Sequence, residues 1–520
     1  MIWHNKWLSY GGKFILVSNV LQSMSIYLLL AMNPPKKTIE CLHQVFAGFF
    51  WSKTGGAKDK HWIAWKDLCF PKYEGGLGFR SLHEVTKALF GKMWWNFRTS
   101  TSLWSSFMWN KYCKKYHPTM ANGSGGSHTW RKMVEVREEM EHDIWWQIKG
   151  GGMSFWFDNW TKQGALYYIE EQGRGDEEIE VKNFIRNGEW DRQKLRELIL
   201  AEMTEYIVES IAPNFEEGAV DKPWWMGNSS GEFTVKSAYD CVRHKKAEDW
   251  WWRCIWSKGV PFKINFLLWR TWKKRIATED NLKKMRISIA SRCYCCESHD
   301  HESIAHLFLT APIAQKLWKQ FASCAGVQIE EGLQHTITQW WRASHKPKLR
   351  AIFQAVPAIL MWELWKRRNV RRHGRNVTYE QLMQQCQKGI FQLLKVLYPW
   401  IDIPTDWKGV VEVLTKYKPK LYHHRVTWEK PQLGWLKCNT DGASRGNPGE
   451  SSYSFCLRDN HGDLIYAEAQ KIGQSTCMQA EIMAILKALT YCANNDITNV
   501  VVESDSLSLT RMINKDWKIP

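Results

Sequence analysis

Three carboxylates near the C-terminal end of this 520-residue sequence stand where a hydrolytic metal centre would need them. Asp441 ends an alternating run, Trp435-Leu436-Lys437-Cys438-Asn439-Thr440, that reads as a β-strand. A turn rich in Gly, Asn and Pro follows it, Gly442-Ala443-Ser444-Arg445-Gly446-Asn447-Pro448-Gly449. Glu481 falls early in a helix-like stretch over about 477–494, whose start Thr476 and Gln479 mark as a capping box. Asp505 closes the apolar run Val500-Val501-Val502-Glu503-Ser504, which reads as a buried strand. Hard divalent cations such as Mg²⁺ or Mn²⁺ take oxygen ligands, so a few Asp and Glu suffice to hold them. Two such ions about 4 Å apart activate a water and stabilise the leaving oxygen in phosphodiester hydrolysis. A single acid is usually a solvated side chain; three on strand ends and a facing helix point to a site.

A second constellation is Cys293-x-x-Cys296 with His306 ten residues on. Zn²⁺ takes four tetrahedral N or S ligands, and these three would supply part of that set. Cys295, His299 and His301 are further candidates, and ordinary Cys and His side chains are the competing reading.

These residues need elements to position them. Strand-like segments over about 434–441, 451–458 and 463–471 precede the helix-like stretch, and a second helix starts near Ser506. Three strands, helix, strand, helix imply a mixed α/β sheet. Upstream, residues 1–115 alternate apolar helical stretches with Gly-rich turns, and 116–225 form a connector. Residues 226–325 carry the Cys/His cluster, 326–432 read as helical connector and linker, and 433–520 form the last domain. The fold class expected is multidomain, mainly α in the N-terminal and middle regions, with an incomplete α/β mixed sheet at the C-terminal end.

The run Asp441–Gly449, Leu457-Arg458-Asp459 with Gly462, Gln479-Ala480-Glu481 with Ala484 and Leu489, and Val502-Glu503-Ser504-Asp505 resembles the type-1 ribonuclease H family. It is most similar to the version fused to plant non-LTR (LINE-like) retroelement reverse transcriptases. The resemblance covers about 434–520. It implies an enzyme that cuts the RNA strand of an RNA–DNA hybrid with Mg²⁺ or Mn²⁺, with Asp441, Glu481 and Asp505 as metal ligands. Gly442, Arg445, Asn447 and Gln479 would lie along the nucleic acid, where the 2′-OH identifies RNA. Members usually carry a fourth acid on a later segment, and the sequence stops before one, so a truncated domain is expected.

The stretch from Phe233 through Val260-Pro261-Phe262-Lys263, Phe266-Leu267-Leu268-Trp269-Arg270 and His306-Leu307-Phe308 resembles the zinc-binding domain of the same elements. There a further Cys follows the His by five residues, where this sequence has Ala311. Trp7-Leu8-Ser9, Phe49-Phe50-Trp51 and Glu74-Gly75-Gly76-Leu77-Gly78 look like the region after the polymerase palm. No Asp-Asp pair occurs, so the paired carboxylates of a polymerase site are absent.

Composition agrees with a polyanionic partner. Lys and Arg outnumber Asp and Glu by 71 to 53, a formal charge of +18, which favours nucleic acid. The 33 Trp could serve as core or as stacking platforms. The scattered Cys suggest a reduced, intracellular protein, nuclear or cytoplasmic. Phe14–Met32 carries too many Ser, Asn and Gln for a membrane span and reads as a buried amphipathic helix. The patch Lys366-Arg367-Arg368 with Arg371-Arg372 reads as a solvated helix face, with a nuclear signal as the alternative. The expected function is nucleic-acid binding with RNA–DNA hybrid hydrolysis; the alternative is a nucleic-acid-binding remnant without catalysis.

Overall fold

The structure, a computed structural model, describes residues 8–32, 34–52, 61–114, 116–169, 179–213, 218–287, 292–296, 300–344, 346–418 and 427–514. Trp7, Pro419, Pro520 and His299 lie outside them. The chain falls into two compact units, one of residues 1–86 and 244–421, the other of 87–243 and 422–520.

The first unit is helical. Its longest helix, Pro347–Arg372, starts on a proline and packs a continuous apolar stripe through Ile352, Val356, Leu360 and Leu364. Tryptophans fill this core: Trp51, Trp269, Trp318, Trp340 and Trp341 are each at most 2 % exposed. These indoles serve as core.

Two expectations change here. The Tyr10–Leu29 run buries a stripe at Val17, Gln22 and Leu29, but Ile15, Met24, Tyr27 and Leu28 stay exposed, and only 22 % of the run is buried. Apolar residues occupy both faces, so the run is only partly covered by the described residues, and by length and composition alone it could cross a membrane. The basic patch is not a solvated face either. Arg367 and Arg368 are 4 % and 2 % exposed, held by partners described below.

In the second unit, four short strands precede the main sheet. Strand β1 (Ile144–Gln147) pairs antiparallel with β4 (Lys222–Trp225), and β2 (Ile185–Arg186) forms a hairpin with β3 (Glu189–Trp190). Phe155, Trp160, Val181, Phe184 and Leu195 form a buried core here, so residues 144–211 carry a folded body of their own.

The C-terminal sheet holds β5 (Leu436–Arg445), β6 (Gly449–Arg458), β7 (Leu464–Ser475) and β8 (Val500–Ser504), in the order β7-β6-β5-β8. β5, β6 and β7 are antiparallel neighbours; β8 runs parallel to β5, reached through the Cys477–Asn494 helix. The crossover explains the mixture, because a parallel neighbour needs a long connection. Alternation along β6 buries Tyr453, Phe455 and Leu457 beneath that helix. On the helix, Ala480, Ala484, Ala488 and Cys492 recur every fourth residue and are all buried. Their small size lets the helix approach β5 closely. The mixed α/β sheet and the mainly helical remainder match the expected fold class.

Candidate functional site

The sheet brings Asp441, midway along β5, level with Asp505 just past the C-terminal end of β8, with Glu481 close by. The strand expected to stop at Asp441 runs on to Arg445 because its pairing with β6 continues. Asp441 follows Thr440 on β5, and Thr440 pairs with Ser504, the last residue of β8. Asp505 is the next residue, so the parallel register sets it level with Asp441 on the neighbouring strand. Glu481 arrives from the helix. A Cβ placed on Gly442 would come within 2.3 Å of the Glu481 backbone nitrogen, so only glycine permits this approach.

Their environments differ. Asp441 and Asp505 are exposed and form no ion pair among the described residues. Glu481 is half-buried, and its Oε2 is buried without a hydrogen-bond partner. A buried carboxylate oxygen left unpaired is costly and asks for a cation or donor. The neighbouring acid Glu503 is already committed: Lys437 Nζ lies 2.6 Å from its Oε1, and Asn439 Nδ2 donates to its Oε2 at 3.0 Å. Asp441 also lines a cleft of about 460 Å³ on the other face of the sheet, floored by Ser454, Cys456, Ala467 and Ala469. Two exposed carboxylates and one buried, unpaired oxygen are hard acceptors of the kind Mg²⁺ or Mn²⁺ takes. No three carboxylates close to within 4.8 Å of one another among the described residues.

The residues expected along the nucleic acid sit around the same end. Arg445 ends β5 opposite Glu450, and both are exposed. Gly449 is required there, since a Cβ would meet the Arg445 carbonyl at 1.5 Å. Asn447 Oδ1 accepts from the Cys477 N–H at 2.9 Å, which ties the turn to the helix N-terminus. Thr476 and Gln479 form the expected capping box: Thr476 N–H donates to Gln479 Oε1 at 3.1 Å, and Gln479 N–H to Thr476 Oγ1 at 3.2 Å. Ser475 Oγ adds a third bond to Gln479 Oε1 at 2.9 Å. Gln479 and Asn447 thus fix where the helix begins, and Glu481 with it.

The Cys/His cluster also forms. The ligand atoms of Cys293, Cys296 and His306 lie within 4.8 Å of one another, and Cys296 Sγ is 3.4 Å from His306 Nε2. The Cys293 N–H donates to the Asp300 carbonyl at 2.7 Å, and the Cys295 N–H to Cys293 Sγ at 3.3 Å. A hydrogen bond between Cys293 and Cys295, with burial, pushes the Cys293 thiol up, and the same bond pulls Cys295 down. Soft S and N donors fit Zn²⁺ at three of four positions. Cys295 and His301 do not join the set, and His301 is exposed; His299 is outside the described residues. Ala311, buried, closes the His306–Thr310 turn by donating its N–H to the His306 carbonyl at 2.8 Å.

The residues that hold this loop were not read from the sequence as positioning groups. Arg368 Nε and Nη2 donate to Glu302 at 2.9 and 2.6 Å, and both side chains are fully buried. The Glu279 N–H also reaches Glu302, at 3.3 Å, while Glu279 accepts from the Arg292 N–H at 2.6 Å. Arg367 Nη1 donates to the Cys295 carbonyl at 3.3 Å. A Lys/Arg run on a helix gives no sign that two of its members face inward, so their partners were invisible.

Comparison with known proteins agrees with both segments. Residues 233–318 match the family described as zinc-binding in reverse transcriptase, and 439–520 match the reverse transcriptase-like family. Across 97 % of its length the chain is 26 % identical to the Arabidopsis thaliana protein named "Putative ribonuclease H protein At1g65750", covering 81 % of that protein. It is 31 % identical over 77 residues to a Halobacterium salinarum ribonuclease HI, covering 15 % of this chain and 39 % of that one. Among solved structures, ribonuclease H1 from Halobacterium salinarum matches at 29 % identity and TM-score 0.16, over 16 % of this chain and 65 % of that one. LC11-RNase H1 in complex with an RNA/DNA hybrid matches at 27 % and 0.16, over 16 % and 64 %. The chain therefore spans less than two thirds of those solved proteins, and at that score the superposition carries no argument. Two segments of the chain are thus similar to reverse-transcriptase-associated families, 233–318 to a zinc-binding one and 439–520 to a reverse transcriptase-like one, and nearly the whole chain is similar to a protein named as a putative ribonuclease H.

Proposed function

We propose that the chain binds RNA–DNA hybrids and hydrolyses the RNA strand at the C-terminal end of β8, beside Asp441 on β5. The observation that carries this reading is that Asp441 and Asp505 lie level on neighbouring strands, with the Glu481 backbone against Gly442 and Glu481 Oε2 buried and unpaired among the described residues. Asp441, Glu481 and Asp505 would hold Mg²⁺ or Mn²⁺, and the bound ions would supply an activated water and a counter-charge for the leaving oxygen. The protein's own part is positioning. Gly442 lets the helix in, the capping box fixes its start, and Lys437 keeps Glu503 out of the set. Arg445, Asn447 and Gln479 would lie along the hybrid, where contact with the 2′-OH separates RNA from DNA. Hydrolysis would leave a 3′-hydroxyl on one RNA fragment and a 5′-phosphate on the other. Two relatives bear ribonuclease H names, which supports the substrate class.

The Cys293–Cys296–His306 group would hold Zn²⁺ as a structural ion, with a fourth ligand from outside the three. The functional reading is tested by incubating the full chain with Mg²⁺ or Mn²⁺ and a hybrid labelled on both strands. Cutting of the RNA strand alone, with free single-stranded RNA left intact, is the expected result. An uncut hybrid overturns the nuclease and favours a binding remnant.

A further inference from the structure

The body between residues 144 and 212 shares a cavity of about 600 Å³ with the starts of β6 and the end of β7. Lys149, Lys162 and Lys471 line it, and the carboxylate among its lining residues is Glu450. None of the three lysines forms an ion pair among the described residues. Gln474 Nε2 holds Glu450 Oε1 at 3.1 Å. Three lysines against one carboxylate leave the cavity net basic.

Lys162 is set in place. Its φ is +67°, in the left-handed region that a side-chain-bearing residue seldom adopts, and its ammonium sits 3.9 Å from the centre of the Trp145 ring. Trp145 is itself anchored by donating its Nε1–H to the Trp160 carbonyl at 3.1 Å. A lysine pinned over an indole presents its charge at a fixed place. Burial pulls its pKa down, while Glu450 opposes that shift.

Location supplies the ligand. Glu450 pairs with Gln474 on one side and faces Arg445 on the other, so the cavity adjoins the turn that carries Arg445 and Asn447. A strand lying along Gly442, Asn447 and Gln479 would leave the sheet at this point. At about 600 Å³ the cavity is of a size for a nucleotide or two. We propose that this cavity is a second nucleic-acid site, in which Lys149, Lys162 and Lys471 bind the phosphodiester backbone of a single strand extending from the hybrid. The proposal rests on the hybrid-binding reading for its geometry, but the cavity and its charge stand apart from the three acids.

The test compares the full chain with a Lys149→Gln/Lys162→Gln/Lys471→Gln variant. The probes are a blunt RNA–DNA hybrid, the same hybrid with single-stranded extensions at both ends, and the free single strand, each over a range of salt. The wild-type chain is expected to bind the extended hybrid more tightly than the blunt one. At about 0.7 counterions per phosphate contact, the variant should lose roughly fiftyfold in affinity for the extended hybrid at physiological salt, and its salt slope should fall by about 2. Its affinity for the blunt hybrid should not change. Equal affinity of variant and wild type for the extended hybrid overturns the proposal, as does a wild type indifferent to the extensions. Lys471→Glu, at an exposed strand position, should shift affinity the same way and covers the case in which the triple variant does not fold. Lysine-dependent binding of the single strand with no binding of the blunt hybrid would keep the cavity and remove the nuclease reading.

Discussion

Gly442 on β5 lies so close to Glu481 on the crossover helix that a side chain at 442 would reach 2.3 Å from the Glu481 backbone nitrogen. The contact is backbone against backbone, and neither rotamer change nor a flexible neighbour can relieve it. Gly442→Ala must push the helix away from β5. Overpacking of this kind costs about 1–3 kcal/mol. Thermal unfolding should report the loss, and hydrolysis should fall further than stability because Glu481 moves off the site.

Glu481 Oε2 is buried and unpaired. Glu481→Gln removes a buried charge and keeps the shape, so without divalent ions the variant should be as stable as the wild type or slightly more so. Added Mg²⁺ should raise the unfolding temperature of the wild type, since an ion bound only by the folded state stabilises it by mass action. The variant should respond much less. Equal Mg²⁺ stabilisation of both would remove Glu481 from the ligand set.

The Cys293, Cys296 and His306 set lacks one of the four ligands Zn²⁺ prefers. Metal analysis of the purified chain should find zinc, and Cys293→Ser/Cys296→Ser should abolish it. Ala311→Cys, one turn on from His306, should tighten zinc binding at least about tenfold in a chelator competition, given the weight of a completed donor set. Unchanged affinity would place residue 311 outside the site.

His43 Nε2 accepts the Leu82 N–H at 3.0 Å and so must stay neutral. Burial, with His83 nearby, lowers its pKa from 6.5 to about 4. The unfolded chain therefore takes up the proton first as pH falls. The stability this group contributes is fully present above about 6.5 and is lost between there and about 4. Denaturant unfolding across that window should show a smaller slope with pH for His43→Gln than for the wild type.

Local signals carried much of the fold. Alternation in Leu436–Arg445 and Gly449–Arg458, and the Thr476/Gln479 pair, fixed three elements of the last domain to within a few residues. That Asp441 lies on a strand was legible from the alternation before it, but the strand was expected to stop there and runs on to Arg445, because Gly442–Arg445 keep pairing with β6. What was not legible depends on contacts far apart in sequence. Nothing local distinguishes Glu503 from Asp505, yet Lys437 neutralises the one and leaves the other. Arg368 looked like surface charge until Glu302, 66 residues away, was seen to receive it. That Asn447 Oδ1 also holds the helix N-terminus, by accepting from the Cys477 N–H 30 residues on, was not legible either.

The central claim is that Asp441, Glu481 and Asp505 serve the hydrolysis of RNA in a hybrid. It is tested most directly by measuring cleavage of a labelled RNA–DNA hybrid by the full chain and by Asp441→Asn, with hybrid affinity measured alongside. Asp441 is exposed and unpaired, so the substitution should leave folding and binding in place. The account predicts RNA-strand cleavage by the wild type and at least about a hundredfold loss in the variant, of the order expected when a catalytic metal loses a ligand or its supporting group. Equal cleavage by the two proteins, or none by either, would contradict it.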